Sequence, residues 1–178
     1  KMDDAPNYGN TGGTIGHELT HGFDDQGRRF DARGNLRNWW SDADGKEFER
    51  RAACISDHYS SYVVVDDVHV NGKLTLGEDV ADLGGLILAY RAWQKETSGK
   101  TLGPKDGLTP AQRFFVGYGQ SWCANSRPET QRMRAMTDPH SPERYRTNGV
   151  VSNMPEFAKA FSCKAGQPMV REPVCRVW

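Results

Sequence analysis

Thr14-Ile15-Gly16-His17-Glu18-Leu19-Thr20-His21 constrains this chain more than any other stretch. His17 and His21 are four residues apart, so a helix sets both imidazoles on one face, one turn from each other. Two nitrogens held this way can grip one Zn²⁺ and leave room for a third ligand and a water. Glu18 lies about 100° further round the helix, where its carboxylate reaches that water without binding the ion. The pattern H-E-x-x-H is a signature of zinc peptidases. It also occurs on surface helices whose two histidines are merely solvated, so a third ligand has to be found elsewhere.

The remainder of the chain supplies one. Leu76, Val80, Leu83, Ile87 and Tyr90 recur at helical period and predict a helix from about 78 to 97, ending at Ser98-Gly99. Glu78 and Asp82 share a face of that helix away from the apolar stripe. Glu78 is the candidate third ligand, although charged helical faces are usually only solvated. Asp82 and Asp24 are placed to accept an N–H from a ligating imidazole, which sets its tautomer and raises its basicity. Gly84-Gly85 inside a helix costs stability and leaves bare backbone that another helix can approach closely. His140 and Arg146, in and after a Pro-braced loop, are candidate donors to a developing oxyanion. Taken alone, an isolated His and an isolated Arg are more often structural. His58 and His69 read as surface or packing residues.

Further helices are expected over about 42–63, capped by Ser41, over 110–123, capped by Thr109-Pro110, and over 131–136. Ser141-Pro142 and Asn153-Met154-Pro155 read as two more helix starts. Arg28–Asp31 against Leu36–Trp40 reads as a short hairpin or loop turning at Gly34-Asn35. Trp39-Trp40 reads as a packing pair, Val63–Val65 as extended, Asn71-Gly72 as a tight turn, and residues 163–178 as irregular.

The 178 residues suffice for one domain with a core. Charge is balanced, 23 basic against 23 acidic residues, which offers no footing for a nucleic-acid or anionic-membrane partner. No apolar run is long enough to span a bilayer, and no signal peptide opens the chain. The metal helix begins so near Lys1 that the chain reads as a piece of a longer protein. None of Cys54, Cys123, Cys163 and Cys175 shows C-x-x-C spacing, so a cysteine zinc site is not expected. Composition leaves disulfides and free thiols equally open.

Five motifs in order, H-E-L-T-H-G-F-D-D-Q-G-R-R-F-D, G-E-D-V-A-D-L-G-G, H-S-P-E-R-Y-R-T-N-G, S-N-M-P-E-F-A-K-A-F-S-C and the terminal C-R-V-W, resemble the neprilysin family over nearly the whole chain. The resemblance implies a mainly α, gluzincin (thermolysin-like) zinc-peptidase portion with short β-hairpins. It implies an endopeptidase that cuts short peptides on the amino side of hydrophobic residues and holds one Zn²⁺ per chain. By the same resemblance, His17, His21 and Glu78 are the ligands, Glu18 the base, and Asp24 and Asp82 the supports behind the imidazoles, with Asp82 counted among the catalytic groups. His140 stabilises the oxyanion, and Arg146 binds a substrate carbonyl. Cys54 pairs with Cys175, whereas the partners of Cys123 and Cys163 lie upstream, in an extracytoplasmic protein. Residues 1–178 then form the C-terminal catalytic portion, lacking an upstream substrate-pairing strand and a helical lobe. Peptides and that upstream part are the expected partners. The rival expectations are a zinc-binding fragment inactive without the upstream part, and a non-catalytic surface interaction domain.

Overall fold

A computed structural model of the chain describes residues 3–178. Eight α-helices and one two-stranded ribbon make up the regular structure among these residues. The chain enters through a nearly continuous helical run. Helix α1 (Asp4–Asn7) is capped by the Asp3 carboxylate, passes through a π-helical turn (Tyr8–Gly12), and continues as α2 (Gly13–Thr20). A 3₁₀ turn, His21–Phe23, finishes the run. Gly9 and Gly13 lie within the helical run. Gly9 is needed because a Cβ there would meet the Phe114 carbonyl oxygen at 2.0 Å.

Helix α3 (Asp42–Ser60) starts at Ser41, whose hydroxyl accepts from the Asp44 N–H, and buries Phe48, Ala52, Ile55 and Tyr59. A ribbon follows, β1 (Val63–Val65) against β2 (Val68–His69), turning at Asp66, which adopts a left-handed φ of 51°. The Asn71–Leu74 turn expected at Asn71-Gly72 is present, closed by Leu74 N–H donating to Asn71 O at 2.9 Å. It leads into a helix and joins no strands. Helix α4 (Leu76–Thr97) is the central element, with twelve of its residues buried. Helix α5 (Pro110–Gln120) begins with a reciprocal cap between Thr109 and Gln112, followed by Pro110 at the first helical position. Helix α6 (Pro128–Thr137) begins at Pro128, three residues before the expected 131, while α7 (Glu143–Ser152) starts directly after Pro142 and α8 (Pro155–Ala160) at Pro155, as read from the sequence.

The stretch read as a short hairpin or loop is a minimal hairpin with one bridge, Phe30 to Leu36, flanked by Asp31 N–H donating to Asn35 O at 3.0 Å and Arg37 N–H donating to Arg29 O at 2.8 Å. The Asp31 carboxylate takes the Arg33 and Asn35 N–H groups, closing a tight loop. Trp40 packs on Phe48 and Trp178, while Trp39 stays half exposed.

Helices α2 and α4 cross backbone against backbone. A Cβ on Gly16 would lie 2.4 Å from Gly85 O, and one on Gly85 would lie 2.3 Å from His17 N. No larger residue fits either place without moving a main chain. On the far side of α3 the tail is pinned by a Cys54–Cys175 disulfide. Cys175 N–H also donates to Asn153 Oδ1 at 2.7 Å, and Arg51 reaches the Val177 carbonyl at 3.0 Å. Cys123 and Cys163 are free thiols here. Among the described residues no helix is long and apolar enough to cross a membrane.

Candidate metal centre and its surroundings

The close glycine crossing sets His17 and His21 directly over the Glu78–Asp82 turn of α4. His17 Nε2 lies 3.4 Å from Glu78 Oε2, and His21 Nε2 lies 3.5 Å from Glu78 Oε1. The two Nε2 atoms are 2.9 Å apart. These three residues form a group whose donor atoms all lie within 4.8 Å of one another.

Carboxylates stand behind both imidazoles. Asp82 Oδ1 lies 2.8 Å from His17 Nδ1, and Asp24 Oδ2 lies 2.7 Å from His21 Nδ1. A carboxylate favours a proton on the nitrogen that faces it: His21 Nδ1 is hydrogen-bonded to Asp24, and Asp82 stands 2.8 Å from His17 Nδ1 without hydrogen-bond alignment, so both carboxylates favour the Nδ1–H tautomer. The two Nε2 lone pairs then face each other and a carboxylate, with no hydrogen between them. Such a donor set fits a small divalent cation with a taste for imidazole and carboxylate, as Zn²⁺ has. Burial works against a charged His17, but the side chains of Asp82 and Glu78 outweigh it and raise the imidazole to about 9. Burial likewise works to raise Glu78; the facing His17, His140 and Arg146 overcome it and hold the carboxyl below its ordinary range.

Both supports are themselves braced. Asp24 is buried, and its Oδ1 accepts the Gln26 and Gly27 N–H groups at 2.9 and 2.7 Å. Asp82 is clamped by Arg146, with Nε donating to Oδ2 at 2.6 Å and Nη2 to Oδ1 at 2.8 Å. The Arg146 guanidinium also lies over the Trp122 ring at 4.0 Å and donates to Glu78 Oε2 at 3.3 Å. Its Nη1 makes no hydrogen bond among the described residues.

Glu18, His140 and Arg146 converge on one cleft of about 210 Å³, together with His17, Asp82, Tyr118 and Trp122. Glu18 is exposed on the wall of that cleft. His140 Nε2 lies 3.4 Å from Glu78 Oε2, so the loop before α7 brings it to the edge of the cluster. His17, Glu18, His21, Asp24, Glu78, Asp82, His140 and Arg146 thus fall in or directly behind one small region.

Two contributors escaped sequence reading. Asp138 Oδ1 holds His140 twice, at Nδ1 (2.7 Å) and at the backbone N–H (3.0 Å). That is an Asx-turn, and an Asp two residues ahead of a histidine is the signal that finds it. Trp122, the plate under Arg146, is 24 residues away from it in sequence, and no local pattern announces the pairing. His58, read as surface or packing, belongs to the interior. It bonds Tyr62 through Nε2 at 2.8 Å and accepts from Asn153 at Nδ1 at 3.1 Å.

Comparison with known proteins gives a consistent picture. The model of Peptidase family M13 matches residues 1–177. The chain is 47% identical over 180 residues to Neprilysin-1 of Caenorhabditis elegans, covering 98% of this chain and 24% of that protein. It is 46% identical over 177 residues to human endothelin-converting enzyme 1, covering 98% of this chain and 23% of that one. Among solved structures it is similar to the Mycobacterium tuberculosis zinc metalloprotease ZMP1 in complex with inhibitor. The TM-score is 0.95 at 42% identity, covering 99% of this chain and 28% of that chain. PEPO from Lactobacillus rhamnosis superposes with a TM-score of 0.86 at 33% identity, covering 99% of this chain and 27% of that chain. The chain therefore spans about a quarter of the length of the relatives it matches.

Proposed function

Since the chain belongs to peptidase family M13, we propose that it carries the hydrolytic centre of a zinc endopeptidase acting on short peptides, cut on the amino side of hydrophobic residues. The observation that carries this reading is the convergence of His17, His21 and Glu78 on one point, with Asp82 and Asp24 behind the imidazoles. His17, His21 and Glu78 would hold one Zn²⁺. When bound, zinc supplies the Lewis acidity that makes a water nucleophilic near neutral pH and polarises the scissile carbonyl.

The chain's own groups do the rest. Glu18, on the cleft wall, takes a proton from the attacking water and passes it to the leaving amine. His140 donates from Nε2 to the oxyanion, its ring turned that way by Asp138 at Nδ1. Arg146 anchors a substrate backbone carbonyl through Nη1 while its other nitrogens stay on Asp82. The Cys54–Cys175 disulfide supports an extracytoplasmic location. The chain covers about a quarter of its relatives, so we assign the activity to a longer protein whose upstream part supplies a substrate-pairing strand, a closing lobe and partners for Cys123 and Cys163.

The test is Glu18→Gln in the full enzyme. Zinc content stays at one equivalent while peptide turnover falls by about 10²- to 10⁴-fold, the usual worth of a general base. Wild-type turnover in that variant would remove Glu18 from the mechanism.

A further inference from the structure

Two pairs of neighbours in the sequence face opposite ways. Glu78 and His140 point into the site, where His140 Nε2 lies 3.4 Å from Glu78 Oε2. The very next residues, Asp79 and Ser141, point into the interior and are 0% and 3% exposed. Asp79 Oδ2 accepts from Thr75 Oγ1 at 2.7 Å. Asp79 Oδ1 and the Ser141 hydroxyl are both shut away from solvent, and neither has a hydrogen-bond partner among the described residues. Burial pushes the Asp79 carboxyl up, and the nearby Thr75 and Ser141 hydroxyls work against that rise. A buried polar atom without a partner is costly, so a lone O–H donor and a lone acceptor in the same place belong together.

His140 needs such a link. Its side chain is half exposed, and Asp138, which orients the ring, moves with the same loop. Beyond the loop, Arg146 in α7 ties that helix to Asp82 and Glu78 of α4, but it stands six residues after His140, and Glu78 is the candidate metal ligand. A contact one residue along from each member of the working pair is about 3.8 Å of main chain away on both sides. We propose that Asp79 and Ser141 are positioning residues: their buried hydroxyl–carboxylate contact, behind the site, holds His140 in register with Glu78. The proposal rests on the reading of His140 as a donor to the reaction.

The test uses the full zinc enzyme and five variants: Ser141→Ala, Asp79→Leu, Asp79→Asn, the Ser141→Ala/Asp79→Leu double, and His140→Ala. Readouts are kcat, KM, zinc content, melting temperature and affinity for a peptide phosphonate that mimics the tetrahedral state. Ser141→Ala and Asp79→Leu are expected to lower kcat about 10- to 100-fold, the scale of a small misplacement of a working group. KM stays within about twofold, and phosphonate affinity falls in step with kcat. The double variant is no slower than the worse single. Asp79→Asn keeps an acceptor for Thr75 and offers an N–H to the serine oxygen, so it recovers most of the rate.

Slow His140→Ala with wild-type kcat in Ser141→Ala and Asp79→Leu would overturn the link and leave the His140 reading standing. A lowered melting temperature with unchanged kcat would overturn it in the same way. Should Asp79→Leu fail to fold, Ser141→Ala, which removes only one oxygen, decides alone. Wild-type kcat in His140→Ala would instead show that the underlying reading is wrong.

Discussion

At the scale of single residues, the chemistry depends on which atoms are left facing each other. The two imidazoles are 2.9 Å apart at Nε2 because each Nδ1 is turned to a carboxylate. His58 makes the opposite use of the same side chain. It is buried between α3 and α7, and burial, helped by the charge of Arg171, lowers its pKa from 6.5 to about 4. The folded state thus holds His58 neutral where the unfolded chain would protonate it. Its contribution to stability is fully present above pH 6.5 and is lost as pH falls towards 4. The wild-type enzyme should lose up to about 3 kcal/mol more over that window than His58→Gln. Denaturant unfolding of both proteins at pH 7 and pH 4.5 reads the difference; parallel losses would show that His58 does not titrate on unfolding.

At the scale of elements, one crossing carries the site. Gly16 and Gly85 let α2 and α4 touch through their main chains, and this proximity brings Glu78 within reach of histidines on another helix. Gly85→Ala puts a methyl 2.3 Å from His17 N, against backbone that cannot rotate aside. The expected cost is about 3 kcal/mol, at the upper end for overpacking, together with weakened zinc binding as the helices separate. Gly103→Ala, where nothing lies within 4 Å, serves as the control and should change neither quantity. Thermal melts and zinc titrations of the two variants check this, and equal behaviour would mean that the crossing tolerates a side chain.

At the scale of the whole molecule, the tail closes the structure. The Cys54–Cys175 bond joins residues 121 apart in sequence. In the chain-entropy account a loop of that size is worth about 4–5 kcal/mol against the unfolded state. Cys54→Ser with Cys175→Ser should therefore lower unfolding stability by about that much, as denaturant titration would show; an unchanged midpoint would assign tail docking to Arg51 and Asn153 instead.

Much of the architecture was legible beforehand, because helices announce themselves through period and caps. Val80, Leu83, Ile87 and Tyr90 recur every three or four residues and all are buried, and Ser41, Thr109 and Pro110 begin helices as they stand. The clustering of His17, His21 and Glu78 was legible because H-E-x-x-H is local and the Glu78–Asp82 face is set by helical geometry. What failed to show was non-local or depended on side-chain bonds. The Asp31 side chain, which takes the Arg33 and Asn35 N–H groups and closes the Phe30–Leu36 hairpin, was not singled out by the turn signal at Gly34-Asn35. The His58–Asn153 bond spans 95 residues, and no pattern in either segment points to the other.

The most direct test of the central claim is a zinc titration of the full enzyme beside Glu78→Ala, by calorimetry at constant pH. The account predicts one equivalent per chain for the wild type. It also predicts a loss of more than about 100-fold in the variant, since disturbing a residue merely behind a ligand already costs about 10- to 100-fold. Equal affinity in the two proteins would contradict it, showing that the Glu78 carboxylate does not bind the ion.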